Sequence, residues 1–273
     1  MPELPEVEVI ARGLQRLIGQ SIIQEVEVLW PRSVARPEVP AFIQGLAGRR
    51  IIDVRRRGKF ILFSLDDGRS LLAHLRMTGG FCVFPRTTPP HPYVRVIFHL
   101  TDGRDLWYVD IRKFGRLYLV NSPEEVLQAL GVEPLSAEFT AERLADILRR
   151  RKGAIKPLLL NQGIIAGVGN IYADEALFRA GIHPLRRAAD LDMEEVRALH
   201  AAIREVLQEA IDHRGTTLRN YRDADGETGQ NQFRLNVYRR QGEPCRRCGT
   251  PIERIVVGQR GTHFCPHCQP AQP

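Results

Sequence analysis

Polar and apolar positions change their period partway along the chain. Immediately after Pro2, Glu3, Leu4, Pro5 and Glu6, the apolar residues Val7, Ile10, Leu14 and Leu17 recur at helical spacing, with Ile18 beside them and Gly19 as a stop. Short alternating runs follow at 22–28, 51–54, 60–65, 71–75, 81–84, 94–100, 106–111 and 117–120. Asp66-Asp67-Gly68, Gly79-Gly80 and Asp102-Gly103 punctuate them. Strands this dense, with no helical pattern between them, predict an antiparallel β-sandwich or barrel. Residues 63–69 and 98–104 look alike, which reads as recurring hairpin chemistry and not as a repeat. From 121 to 139 the pattern dissolves into Ser, Pro, Glu and Gly, a linker. Beyond it the period is helical: Leu144, Ile147 and Leu148, then 155–160, 171–177 and 193–211. Residues 233–238 restore a strand pattern. The expected class is α+β: a catalytic β-sandwich domain with a leading helix over 1–120, a linker over 121–139, a helical domain over 140–232 and a terminal module over 233–273.

Length and composition narrow the function classes. A chain of 273 residues suits two domains, and a 43% hydrophobic fraction is ordinary for a globular protein. No apolar run approaches the ~18 residues of a membrane span. The acidic start does not read as a targeting segment. The expectation is a cytosolic protein with no membrane role. A net charge of +7 and a pI near 9.5 favour a polyanionic partner.

Five cysteines, four of them near the C-terminus, suggest metal and not disulfides. Cys245 and Cys248, then Cys265 and Cys268, form two CxxC knuckles that can offer four thiolates to one structural Zn²⁺ with no open coordination position. His263 and His267 are surplus to such a site, and Cys82 in an apolar strand reads as core. The stretch 161–170, with glycines at 163, 167 and 169, feeds a helix start and can present backbone N–H groups to a phosphate, although glycines also serve plain turns. The polar stretch 214–232 is too long for a simple connector and is a candidate functional loop. Arg260 admits two readings, a phosphate ligand at a hairpin tip or a solvated surface side chain. The first residues also admit two. Pro2 and Pro5 can merely stiffen a helix entry that Glu3 and Glu6 favour. Alternatively, removal of Met1 exposes a secondary amine at Pro2 that can attack an electrophilic carbon.

Taken together, Pro2 to Val7, Gly58-Lys59-Phe60, His74 to Gly79, Asp110 to Gly115, Gly167 to Glu175 and the four cysteines resemble the formamidopyrimidine-DNA glycosylase family over essentially the whole chain. The resemblance implies a β-sandwich, a helix–two-turn–helix domain and a zinc-finger hairpin. It further implies a bacterial repair enzyme that flips oxidised purines out of duplex DNA and excises them, then cleaves the abasic strand by β,δ-elimination. Implied catalytic residues are Pro2 as nucleophile, Glu3 as general acid/base, Lys59 in proton transfer and Arg260 at the second elimination. Phosphate binding suits Arg260 better than proton donation, because an arginine stays protonated. Met77, Arg112 and Phe114 resemble the wedge that fills the hole left by the extruded base. Asn170 is expected to grip phosphates, and His91, Arg151 and Lys156 align with DNA-contacting positions.

The chain departs from the family pattern at Lys113, where arginine is common, and at Arg239, where glycine is. The variable segment 216–232 leaves lesion preference less determined than chemistry. Two rivals stand: an endonuclease VIII-like enzyme for oxidised pyrimidines, which typically has glycine where Leu4 stands, and a non-catalytic zinc-ribbon DNA-binding protein, which would not need Pro2, Glu3 or Lys59. The expected partner is double-stranded DNA with oxidised bases or abasic sites. The expected setting is a monomer in the bacterial cytoplasm, nucleoid-associated through DNA.

Overall fold

A computed structural model describes residues 2–271 as two compact units. The expectation that Met1 is removed falls on a residue outside the described ones. Of the described residues, unit 1 comprises 2–128 and 213–232; unit 2 comprises 129–212 and 233–271.

Unit 1 opens with α1 (Leu4–Ile18), which buries Val7, Ile10, Leu14 and Ile18 as the spacing predicts. Gly19 ends it, though not by a left-handed turn: its φ is −70°, and a Cβ there would lie 2.4 Å from the Gln15 carbonyl oxygen. Nine strands follow: β1 (Ile23–Val28), β2 (Val34–Arg36), β3 (Ile51–Arg57), β4 (Phe60–Leu65), β5 (Ser70–His74), β6 (Gly79–Pro85), β7 (Val94–Leu100), β8 (Arg104–Asp110) and β9 (Arg116–Val120). They form a four-stranded sheet, β1-β7-β8-β6, and a five-stranded sheet, β2-β9-β5-β4-β3. All pairs are antiparallel except β2–β9. Phe98 and Phe81 of the first sheet and Phe63 and Leu71 of the second share one core with the apolar face of α1. The rings of Phe63 and Phe81 meet edge-on at 5.5 Å. The two similar segments are indeed matching hairpin turns. In each an aspartate receives the N–H of an arginine two residues on, across a glycine with φ near +85°.

Helix α2 (Val39–Leu46) and strand β2 of unit 1 escape the hydrophobic pattern. Helix α2 interrupts the strands where no helix was expected. A proline in its first turn and Gly45 give it loop-like composition, and Phe42 and Leu46, with the partly buried Ile43, anchor it in the core. Strand β2 has three residues, too few to show a period.

Unit 2 carries α4 (Ala141–Arg149), α5 (Ile155–Leu160), α6 (Asn170–Ala180) and α7 (Met193–Asp212), with α6 packed on α5 and α7. The short α3 (Glu124–Leu127) lies in the expected linker and still belongs to unit 1. The hairpin of β10 (Glu253–Val257) and β11 (Arg260–Phe264) turns through Gly258 and Gln259, both with positive φ, and β11 packs on α6.

Two sequence readings change here. The segment 213–232, placed by its position with the helical domain, joins unit 1 instead. Thr216 N–H donates to Glu6 at 2.8 Å, Asp225 pairs with Arg16 at 2.6 Å, and Ala224 fits against Gly13 so closely that a Cβ at Gly13 would lie 2.8 Å from Ala224 Cβ. Residues 233–238 do not form the expected strand. The buried Glu175 carboxylate of α6 collects the N–H groups of Asn236, Val237 and Tyr238 at 2.9–3.0 Å. Donors gathered on one carboxylate cannot serve a strand ladder.

Candidate functional site

Pro2 and Glu3 are buried, and Glu3 is the N-cap of α1. The chain start is held by Glu6, itself 1% exposed: one carboxylate oxygen accepts from Glu3 N–H at 2.8 Å and the other from Thr216 N–H. The first residues thus have a fixed geometry in place of the fraying usual at a terminus. Lys59 sits in the β3–β4 turn and is 8% exposed. Arg56 ties that turn to α1 by donating to Glu8 at 2.7 Å and to the Gly58 carbonyl at 3.1 Å. Burial pushes the Glu8 carboxyl up, but Arg56 and Arg12 outweigh it and hold the group below its ordinary range. His74, at the end of β5, is pushed down to about 3 by burial, with Arg76 and Lys59 adding positive charge. A neutral imidazole suits its Nδ1, which accepts from Arg76 N–H at 3.1 Å.

The three wedge candidates come together in unit 1. Arg112 reaches Met77 Sδ at 2.9 Å, and its guanidinium lies 4.6 Å from the Phe114 ring centroid. Met77 and Phe114 are 43% and 48% exposed, a cost in apolar hydration that a core role would not leave standing. His91 is exposed in the turn before β7, its ring 4.9 Å from that of Tyr93.

In unit 2 the glycine-rich segment between α5 and α6 is an ordered turn. Gln162 staples it, accepting from Gly167 N–H and donating to the Val168 carbonyl, while Gly167 takes φ +91°. Gly169 is the N-cap of α6 and Asn170 its first residue. Asn170 Nδ2 donates to the Gly261 carbonyl at 3.0 Å, next to exposed Arg260, so these two expected phosphate ligands share one platform. Lys156, also expected at DNA, has a different setting. It is fully buried, with Nζ 2.6 Å from Asp174 Oδ1, 2.7 Å from Thr262 Oγ1 and 3.2 Å from the Gly261 carbonyl. Its ammonium holds β11 against α6. Arg151 is exposed just beyond α4, where it lines an open cleft with Arg143, Arg150 and Gly163.

The four cysteine sulfurs lie within 4.8 Å of one another. Cys248 is 3.5 Å from Cys265 and 3.6 Å from Cys268, and Cys245 is 3.9 Å from Cys268. Four thiolates about 2.3 Å from one tetrahedral zinc would lie roughly 3.8 Å apart, so the donor set fits a closed structural site. Arg247 N–H and Cys268 N–H point at sulfur acceptors, as thiolates require. His263 is spoken for by Asp174, which accepts from its backbone N–H at 2.9 Å. The clamping roles of Glu6, Gln162 and Glu175 escaped sequence reasoning, although all three lie within stretches the sequence singled out: only their bonding partners show what they do.

Three family models match: the formamidopyrimidine-DNA glycosylase N-terminal domain over residues 1–117, the formamidopyrimidine-DNA glycosylase H2TH domain over 130–222, and a zinc finger found in FPG and IleRS over 242–271. The formamidopyrimidine-DNA glycosylase of Roseiflexus sp. (strain RS-1) is 50% identical over 272 residues, covering 98% of this chain and 100% of that one. Among solved structures, MutM (Fpg) of Thermus thermophilus superimposes with a TM-score of 0.89 at 46% identity, covering 100% of both chains. Lactococcus lactis Fpg in a complex with abasic-site DNA gives a TM-score of 0.92 at 37% identity, covering 98% of this chain and 100% of the other.

Proposed function

The chain belongs to the formamidopyrimidine-DNA glycosylase family, and from that premise we propose that it excises oxidised purines, 8-oxoguanine and formamidopyrimidines, from duplex DNA and then cleaves the strand. Relatives bearing that name, and family structures bound to abasic-site DNA and to Fapy-dG DNA, support the substrate class. The observation that carries the chemistry is the buried Pro2-Glu3 pair at the mouth of α1, its backbone clamped by Glu6.

The damaged nucleotide must leave the stack before its C1′ can be reached. Met77, Arg112 and Phe114 occupy the vacated space. Once Met1 is gone, the secondary amine of Pro2 attacks C1′. The C1′–N bond to the base breaks and the base departs with a proton; the amine gives up its own proton, its lone pair expels the ring oxygen O4′ from C1′, and Glu3 protonates O4′ as the ring opens to the iminium. The positive end of α1 favours the neutral amine, and the Glu3 carboxylate opposes it. The resulting iminium acidifies C2′–H. Loss of that proton expels the 3′ phosphate, and a second elimination expels the 5′ phosphate, leaving the sugar on the amine for hydrolysis. Lys59 is the proton carrier near the sugar, and Arg260 stabilises a departing phosphate. Asn170, the turn before it, His91 and Arg151 bind backbone phosphates, and Lys156 supports the Asn170–Arg260 platform from within. The zinc folds the hairpin that carries Arg260 and takes no part in bond breaking. A monomer in the bacterial cytoplasm completes the reading. Among the described residues no helix is long and apolar enough to cross a membrane.

Borohydride reduction tests the proposal, because a reduced iminium leaves protein covalently joined to DNA. Trapping is expected on an oxidised-purine duplex and not with an N-terminally extended protein, which has no free Pro2 amine. Stronger trapping on an oxidised-pyrimidine duplex would replace the substrate class. Full trapping by the extended protein would remove Pro2 as the nucleophile.

A further inference from the structure

The wedge side chains stand on two separate loops, 75–78 between β5 and β6, and 111–115 between β8 and β9. Side chains on independent loops would each lose conformational freedom on entering DNA. These loops are not independent. Asp110, the last residue of β8, is fully buried and sits opposite Gly79 in the β6–β8 register. Its Oδ1 accepts from Thr78 Oγ1 at 2.5 Å, and its Oδ2 accepts from Gly115 N–H at 2.8 Å. Arg112 N–H is shared between Thr78 Oγ1 at 3.0 Å and Asp110 Oδ1 at 3.2 Å. One carboxylate and one hydroxyl therefore tie the residue after Met77 to both ends of the loop that carries Arg112 and Phe114.

The surroundings fix Asp110 in turn. Its N–H donates to the Tyr93 carbonyl at 2.9 Å, and its own carbonyl accepts from Arg95 Nε at 2.8 Å. Tyr108 packs so near that a Cβ on Gly115 would lie 1.6 Å from its hydroxyl oxygen, which explains the glycine. Each loop also holds one non-glycine residue in left-handed backbone, Arg76 at φ +54° and Lys113 at φ +60°. Such residues persist where surrounding bonds over-determine the backbone.

We propose that Asp110 and Thr78 are positioning residues that couple the two loops, so that Met77, Arg112 and Phe114 enter DNA as one preassembled wedge. The inference rests on the wedge reading above. The test is the stopped-flow rate of fluorescence rise from 2-aminopurine placed beside an 8-oxoguanine, with cleavage of a preformed abasic site measured alongside. Thr78→Val keeps the side-chain shape and removes the hydroxyl. Asp110→Asn turns an acceptor toward a donor. Both are expected to slow insertion about tenfold relative to abasic-site cleavage, the size expected when a buried charge-assisted hydrogen bond is lost. Thr78→Ser should restore the wild-type ratio. Phe114→Ala is the reference for wedge loss. A normal insertion rate in Thr78→Val, with a slow one in Phe114→Ala, would overturn the coupling and leave the wedge. A normal rate in Phe114→Ala would remove the wedge and the coupling with it. Equal slowing of insertion and abasic cleavage by Thr78→Val, without rescue by Thr78→Ser, would also overturn the proposal, because it marks general damage to the fold.

Discussion

Asp174→Asn isolates what the buried charges of unit 2 contribute. Asp174 and Lys156 are both fully buried and 2.6 Å apart. Neutralising Asp174 takes away the carboxylate against the ammonium and leaves Thr262 Oγ1 and the Gly261 carbonyl, both neutral acceptors, in place. Breaking such a pair costs about 3–5 kcal/mol, a large share of the ~5–15 kcal/mol that holds a domain together. Asp174 also accepts from His263 N–H, so the loss falls on β11 and on the platform shared by Asn170 and Arg260. Urea unfolding followed by circular dichroism measures the cost. Adding Lys156→Met should recover at least half of it, because the double variant no longer buries the ammonium. A loss within about 0.5 kcal/mol of wild type, typical of a surface substitution, would refute the reasoning. So would a double variant no more stable than Asp174→Asn. Lys156→Met alone also tests whether this side chain contacts DNA: the slope of log affinity against log salt should not change, whereas a lost phosphate contact would lower it by about 0.9.

Phe114→Ala should leave thermal stability nearly unchanged, since the ring is 48% exposed, yet slow excision at least tenfold for want of a wedge; equal loss of nonspecific DNA binding would point to a structural role. His74 supplies a pH dependence. Its folded value near 3 lies below the unfolded value near 6.5, so the unfolded chain takes up a proton first and stability falls as pH drops from 6.5 toward 3. At pH 4.5 the loss is at most about 2–3 kcal/mol, and His74→Asn, which keeps an acceptor for Arg76 N–H, should flatten that limb of a melting-temperature profile. Removal of zinc by a chelator, or a Cys248→Ala substitution, should release one zinc per chain and weaken DNA binding more than tenfold. Both tryptophans, Trp30 and Trp107, belong to unit 1, so their fluorescence should barely move. A concerted change in that signal would contradict the division into units.

The period of apolar residues was enough to place α1, eight of the strands of unit 1 and the four principal helices of unit 2, because burial of one face imposes a repeat of two or 3.6 on any chain. Helix α2 was not legible, since a proline and a glycine within eight residues imitate a loop. The zinc site was legible for a different reason: a CxxC turn brings two sulfurs together by local geometry alone. Met77, Arg112, Phe114, Asn170 and Lys59 could be given roles only through the family resemblance, which also favoured the nucleophile over the stiff helix entry at Pro2.

Tertiary structure decided how each polar group is used. Nothing local distinguishes Lys156, with no exposure, from the solvated arginines just before it, because burial depends on chain that arrives about a hundred residues later in β11. The same holds for Glu6, whose second oxygen waits for Thr216, and for Glu175, which gathers N–H groups from 236–238. Periodicity reports which face of an element is buried. Hydrogen-bond partners from distant parts of the chain report what a buried charge does there, and those partners exist only in the folded protein.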